Sequence, residues 1–166
     1  MLKFTKPETR YIQSYWETFD AIVKEKIYLA ATEAFPLEST IEFVKTSVEK
    51  DIPQLFIIDS ETDRCVGWCD AIPKEDTVGY IGTGLLKEYR GNGIGTQILH
   101  QIIELSKQYG YLKLELDVRA SNKRAINVYE KVGFTVCNTV RDGFVFNDYT
   151  VTENVVQMEL ILALNK

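Results

Sequence analysis

The sequence predicts one mixed α/β (α+β) domain with a mostly antiparallel twisted sheet of about six or seven strands and about four flanking helices. Three observations predict it. A length of 166 residues suits one domain with a core that needs no disulfide or metal staples. The apolar spacing is helical up to Lys50 and strand-like from Leu55. The strand-like runs from there on are punctuated by turn residues, with helical stretches between the later ones, and no repeat, linker or low-complexity stretch interrupts them.

The elements follow in order. A short strand opens the chain near Leu2 to Thr5. Tyr11, Tyr15, Trp16, Phe19, Ile22 and Val23 recur at helical spacing and predict a helix over 10–30. After a loop around Pro36, Ser39 or Thr40 is placed to cap a second helix reaching about Lys50. Leu55–Ile58 reads as a buried strand, 61–64 as a turn, and Cys65–Ile72 as the returning strand of a hairpin. A further strand covers about Thr77 to Leu86. A glycine-rich turn at 91–95 leads into an amphipathic helix carrying Ile94, Ile98, Ile102 and Leu105, which Gly110 stops after Tyr109. Leu112, Leu114, Leu116 and Val118 alternate with charged residues and mark a strand with one buried face. A helix from Asn122 to Val132 ends at Gly133, and two strands close the chain near Phe134–Arg141 and Val155–Leu164, joined through Asp142, Gly143, Asn147 and Asp148.

Composition narrows the function. Apolar residues make up 45% and charged residues 26%, which excludes a disordered or collagen-like chain. No apolar run approaches a membrane span, and the first residues lack the apolar stretch of a signal peptide, so a cytoplasmic protein without membrane contact is expected. The odd count of three cysteines (Cys65, Cys69, Cys137) argues for reduced thiols. With one histidine, His100, read as an exposed helical residue, no metal site is expected. The net charge of −5 argues against general nucleic-acid binding. Positive charge concentrates in 87–131 while 1–86 is acidic, a split that suits one anionic ligand and one cationic one.

The chemistry-bearing stretch is Tyr89-Arg90-Gly91-Asn92-Gly93-Ile94-Gly95-Thr96, between a strand and a helix. Its glycines permit tight turns, and the unpaired N–H groups at the helix start favour a phosphate or pyrophosphate. The Walker pattern is absent. A dinucleotide fingerprint fails at Thr96, although Glu115 lies at about the right distance for a ribose contact. An Arg-x-x-Gly-x-Gly loop fits without exception.

The second cluster runs from Arg119-Ala120-Ser121-Asn122 through Tyr129-Glu130-Lys131-Val132-Gly133-Phe134. With the glycine loop at this spacing, residues 77–136 resemble the GNAT superfamily of acyl-CoA N-acyltransferases, and Asp117–Phe134 is especially similar to the bacterial ribosomal-protein alanine N-acetyltransferases. The resemblance implies a single GNAT-like domain over 1–166 with splayed central strands. Acceptor-binding helices would occupy about 10–50 and an acetyl-CoA-binding core about 77–136. It implies acetyl-CoA as co-substrate and no metal. Arg90, Gly91, Asn92, Gly93, Ile94, Gly95 and Thr96 would hold the pyrophosphate, mainly through main-chain N–H groups. Thr83, Gly84 and Leu85 would pair with the pantetheine arm, and a main-chain N–H there would polarise the thioester. Asn122 matches the pantetheine-contacting asparagine, and its position equally suits a helix N-cap.

Tyr129 matches the family's general acid, and a phenol of pKa about 10 can protonate a departing thiolate of pKa about 8.5. Raising a lysine-like amine to its free-base form at pH 7 costs about 4.6 kcal/mol, so a base is useful. Asp117 aligns with the carboxylate base of the ribosomal-protein enzymes, as Asp where they carry Glu, and the shorter side chain favours a water relay. A solvated strand charge beside Lys113 and Glu115 is the plain alternative. Glu33 and Glu38 fall in the loop between the first two helices, where the family builds its acceptor pocket. Phe144, Phe146 and Tyr149 are candidates for its far wall, for core or for a dimer contact.

The expectation is an N-acetyltransferase acting on a small-molecule amine or a peptide N-terminus, with room for a homodimer. The alternatives are an acyltransferase of amino acids and a non-catalytic acetyl-CoA sensor.

Overall fold

The computed structural model describes residues 1–146 and 152–163. The elements run β1 (Leu2–Thr5), α1 (Ile12–Lys24), α2 (Leu37–Glu49), β2 (Gln54–Asp59), β3 (Arg64–Glu75), β4 (Val78–Leu85), α3 (Ile94–Tyr109), β5 (Lys113–Arg119), α4 (Lys123–Lys131), β6 (Thr135–Val145) and β7 (Thr152–Ile161). The seven strands form one sheet in the order β1-β2-β3-β4-β5-β7-β6. Every neighbouring pair is antiparallel except β4 and β5.

That exception makes the site. β4 pairs with β3 along its whole length, from Val78 to Leu85. It pairs with β5 only at Val78–Lys113, Gly79–Leu114 and Tyr80–Glu115. Beyond Tyr80 the two strands part, so the half of the β4 backbone that faces away from β3 opens onto a gap.

Alternation along the strands divides the core between the two sheet faces. Leu114, Leu116 and Val118 of β5 and Leu55, Ile57, Cys69 and Ala71 pack under α3 and α4, against Ile98, Leu99, Ile102 and Ile126. Phe56, Ile58 and Trp68 pack under α1 and α2, against Tyr11, Tyr15, Ile22 and Val44. Buried polar groups find partners in the strands: the Tyr111 hydroxyl donates to Ala71 O at 2.9 Å, and Thr18 Oγ1 to Cys65 O at 2.8 Å.

Several boundaries differ from expectation. α1 stops at Lys24 rather than near residue 30, because Lys26 takes the left-handed region at φ 54° and turns the chain away. α2 starts at Leu37 with Pro36 as its N-cap, ahead of Ser39 and Thr40; the proline fixes the entry with φ −52°. Asp142 and Gly143 lie inside β6 rather than in its connection to β7, at an irregularity between Val140 and Phe144 where Asp142 has φ 50°. β7 begins at Thr152, ahead of Val155. Asn147, Asp148, Tyr149 and Leu164 lie outside the described residues.

Candidate active site

A cleft of about 590 Å³ occupies the gap between β4 and β5. Tyr80 through Leu85 form one wall, and Asp117 and Val118 the other. The glycine loop and the start of α3 close one end. α4 contributes Asn122, Arg124, Val128 and Tyr129.

The loop has the conformation its glycines permit. Gly91 has φ 89° and Gly93, the N-cap of α3, has φ 76°, values that side chains with a Cβ rarely adopt. No side chain caps α3 and its first turn holds no acidic residue, so its N–H groups and partial positive charge face the cleft. A Cβ on Gly91 would lie 3.0 Å from Nη2 of Arg124, so the bare glycine lets that guanidinium settle beside the loop. Arg124 has no ion-pair partner among the described residues, and Lys131 joins it in the lining.

The wall residues use their backbones. Thr83 donates its hydroxyl back to Trp68 O at 2.9 Å, away from the cleft's main-chain edge. Gly84 is bare because Trp68 fills the space: a Cβ there would lie 2.5 Å from the indole Cη2. Asn122 is the N-cap of α4, accepting from Ala125 N at 3.2 Å, and it also lines the cleft.

Asp117 and Tyr129 enter from opposite faces of the sheet. Tyr129 packs with the α3–α4 core and edges onto Phe134 at 5.9 Å between ring centroids. Burial, then the neighbouring Cys69 and Tyr80, holds its phenol well above the usual range, so it is neutral and proton-bearing at pH 7. Asp117 alternates with the buried Leu116 and Val118 and is exposed toward the α1 side. Tyr80 lies nearby on β4; burial first, then the Asp117 carboxylate, pushes its phenol up to about 12.

The structure brings together Thr83, Gly84, Leu85, Arg90, Gly91, Gly93, Ile94, Gly95, Thr96, Asp117, Asn122 and Tyr129 around one cleft. Asn92 belongs to the loop without facing the cleft. Glu33 and Glu38 are exposed and stand outside the lining. Phe144 and Phe146 also stand outside it, packed edge to face under the Arg119 guanidinium. The Arg90 side chain turns from the loop toward Glu25. Tyr28, Leu29, Tyr80 and Arg124 are lining residues that the motif does not single out. The period-two placement of Tyr80 opposite β5 was a usable signal.

Among the described residues no cluster of His, Cys, Asp or Glu could hold a metal ion, and no helix is long and apolar enough to cross a membrane. Cys65, Cys69 and Cys137 are free thiols, the first two buried.

The sequence model of the acetyltransferase (GNAT) family matches residues 11–134, and the chain belongs to that family. An N-alpha-acetyltransferase 30 from Schizosaccharomyces pombe is 30% identical over 89 residues, covering 49% of this chain and 58% of its own. The chain spans about half the length of the curated relatives it matches. A ribosomal-protein-alanine N-acetyltransferase from Brucella melitensis superposes with a TM-score of 0.88 at 16% identity, over 96% of this chain and 99% of that one. A phosphinothricin acetyltransferase from Sinorhizobium meliloti, solved with acetyl-CoA, superposes with a TM-score of 0.86 at 13% identity, over 98% and 89%. At these identities the structural likeness speaks for the fold.

Proposed function

We propose that the protein is an acetyl-CoA-dependent N-acetyltransferase that acts on a primary amine in a ternary complex. The observation that carries this is the cleft where β4 and β5 part: an anion-binding glycine loop closes one end, and a neutral phenol and a carboxylate enter from opposite faces. The residues fit the co-substrate. The α3 N-terminus and Arg124 suit its phosphates, and the edge of β4 that faces away from β3 suits its amide-bearing arm, as a neighbouring strand would.

The chain's own residues then divide the work. Main-chain N–H groups of Thr83 to Leu85 orient the thioester carbonyl. The amine nitrogen forms a bond to the carbonyl carbon as the carbon–sulfur bond breaks. The amine proton leaves toward Asp117, through water given the short side chain, and Tyr129 returns a proton to the sulfur. Tyr28, Leu29 and Tyr80 wall the acceptor side, a role that Glu33 and Glu38 are poorly placed to fill. Among the described residues Asp117 is the one carboxylate lining the cleft, which favours a cationic acceptor: a small amine or a peptide N-terminus.

A homodimer and a cytoplasmic setting belong to the same reading. β6 is an edge strand exposed on both faces from Thr135 to Gly143, with Val136 and Val140 uncovered, which supports a covering partner. The free thiols support a reducing compartment.

Thiol release from acetyl-CoA across polyamines, aminoglycosides, amino acids and free-amine peptides tests the proposal. Turnover with one class establishes it. Tight acetyl-CoA binding with silence across the panel favours the sensor reading, and silence without binding rejects both.

A further inference from the structure

The segment after α1 is fastened at two points that lie far apart in the sequence. Arg90, just past β4, forks onto Glu25: Nη2 donates to Oε1 at 2.7 Å and Nη1 to Oε2 at 3.0 Å. Its Nη1 also reaches the Tyr28 hydroxyl at 3.2 Å, its Nε donates to Leu85 O at 2.7 Å, and the guanidinium lies 4.7 Å from the Tyr28 ring centroid. The Arg90 and Glu25 side chains are only 16% and 22% exposed, so the pair is partly desolvated and held by geometry. Arg119, the last residue of β5, donates to Ile27 O. It is fixed from behind by Glu153, at 2.8 Å from its Nε, and by the rings of Phe144 and Phe146. The positive φ of Lys26 lets Glu25 reach one arm of the gap and the Ile27 carbonyl the other.

We infer that residues 25–29 form a strap across the open end of the β4–β5 cleft, and that Arg90 and Arg119 are positioning residues that pin it to the two arms and so set the acceptor wall. Tyr28 and Leu29, which line the cleft, are the part of the strap that an acceptor meets. Arg90 is the first residue of the glycine loop, yet its guanidinium spends four donor contacts on the strap and on Leu85 O. The donor loop and the acceptor wall are therefore tied by one side chain. This inference rests on the acetyltransferase reading for what the wall recognises, and on the geometry alone for the pinning.

Glu25→Gln and Arg119→Gln test it through three readouts on the intact chain. Trypsin cleavage after the exposed Lys26 reports release of the strap, cleavage after Lys107 in α3 reports global unfolding, and calorimetry with acetyl-CoA reports the donor site. Each variant should speed cleavage after Lys26 by about fivefold or more over that after Lys107. Acetyl-CoA affinity should stay within about twofold, while the acceptor KM, for the amine found by thiol release, rises about tenfold with a smaller change in kcat. Equal acceleration at both lysines would mean that the arginines hold the fold generally, and would overturn the inference. So would unchanged cleavage after Lys26, or an acetyl-CoA affinity that falls while the acceptor KM holds. Failure of wild-type protein to bind acetyl-CoA would count against the functional reading and leave the proteolysis arm to decide the strap.

Discussion

The indole of Trp68 lies against the bare Cα of Gly84, directly across the β3–β4 ladder, and a Cβ at Gly84 would approach its Cη2 to 2.5 Å. That contact lets the second core reach the cleft wall. Trp68 also meets Tyr15 edge-on at 5.5 Å, so the ring cannot retreat without disturbing α1. Gly84→Ala is expected to cost about 1–3 kcal/mol by overpacking, read as a lower denaturation midpoint. Combining it with Trp68→Phe should cost less than the two separate losses together, a non-additivity that identifies the contact.

Tyr129→Phe keeps the ring and its packing on Phe134 but removes the proton. A fall in kcat of about 10²-fold or more with acetyl-CoA affinity unchanged is expected, measured by thiol release and calorimetry. An unchanged pH–rate profile would assign the proton to another group.

The glycine loop separates binding from folding. A Cβ at Gly93 meets nothing within 4 Å, so Gly93→Asp meets backbone strain at φ 76° but no clash. Its carboxylate would face the phosphates at the α3 N-terminus. Acetyl-CoA affinity should drop by about tenfold or more while the thermal midpoint moves only a few degrees. Arg124→Gln should weaken the same affinity and flatten its dependence on salt, as expected when an unpaired cation by the loop is removed.

Asp70 gives the fold a pH dependence. It is buried on β3 opposite Gly82, and burial raises its carboxyl to about 7, while Gln54 and the Gly82 N–H pull the other way. The unfolded chain titrates near 3.9, so the native state holds this proton more tightly. Its contribution to stability is complete below about pH 4 and is lost as pH rises to about 7, then stays flat. Asp70→Asn should abolish that slope and be the more stable form at pH 8, in urea melts across the range.

How much of this was legible depended on how local each signal was. The glycine loop, the α4 cluster and the alternation of β5 are contiguous in sequence, and the structure gathers them around one cleft. The strap was invisible because its ties join residues 65 and 92 positions apart. The end of α1 was missed for the same reason: no glycine or proline marks it, and the turn at Lys26 accompanies partners just past β4 and at the end of β5. Glu33 was read from its loop, where a sequence does not say which way side chains turn, and Glu38 lies in the first turn of α2 rather than in that loop. Asp142 and Gly143 carried turn chemistry, which the chain uses inside β6 as a local irregularity.

The three residue pairs joining β4 to β5 also divide the molecule. On one side, β1 to β4 form an antiparallel meander with α1 and α2; on the other, β5 to β7 form a second antiparallel unit. Each side closes most of its own hydrogen bonds, so each has the makings of a separate cooperative unit in hydrogen exchange. The gap between β4 and β5 is thus also the seam between those two units.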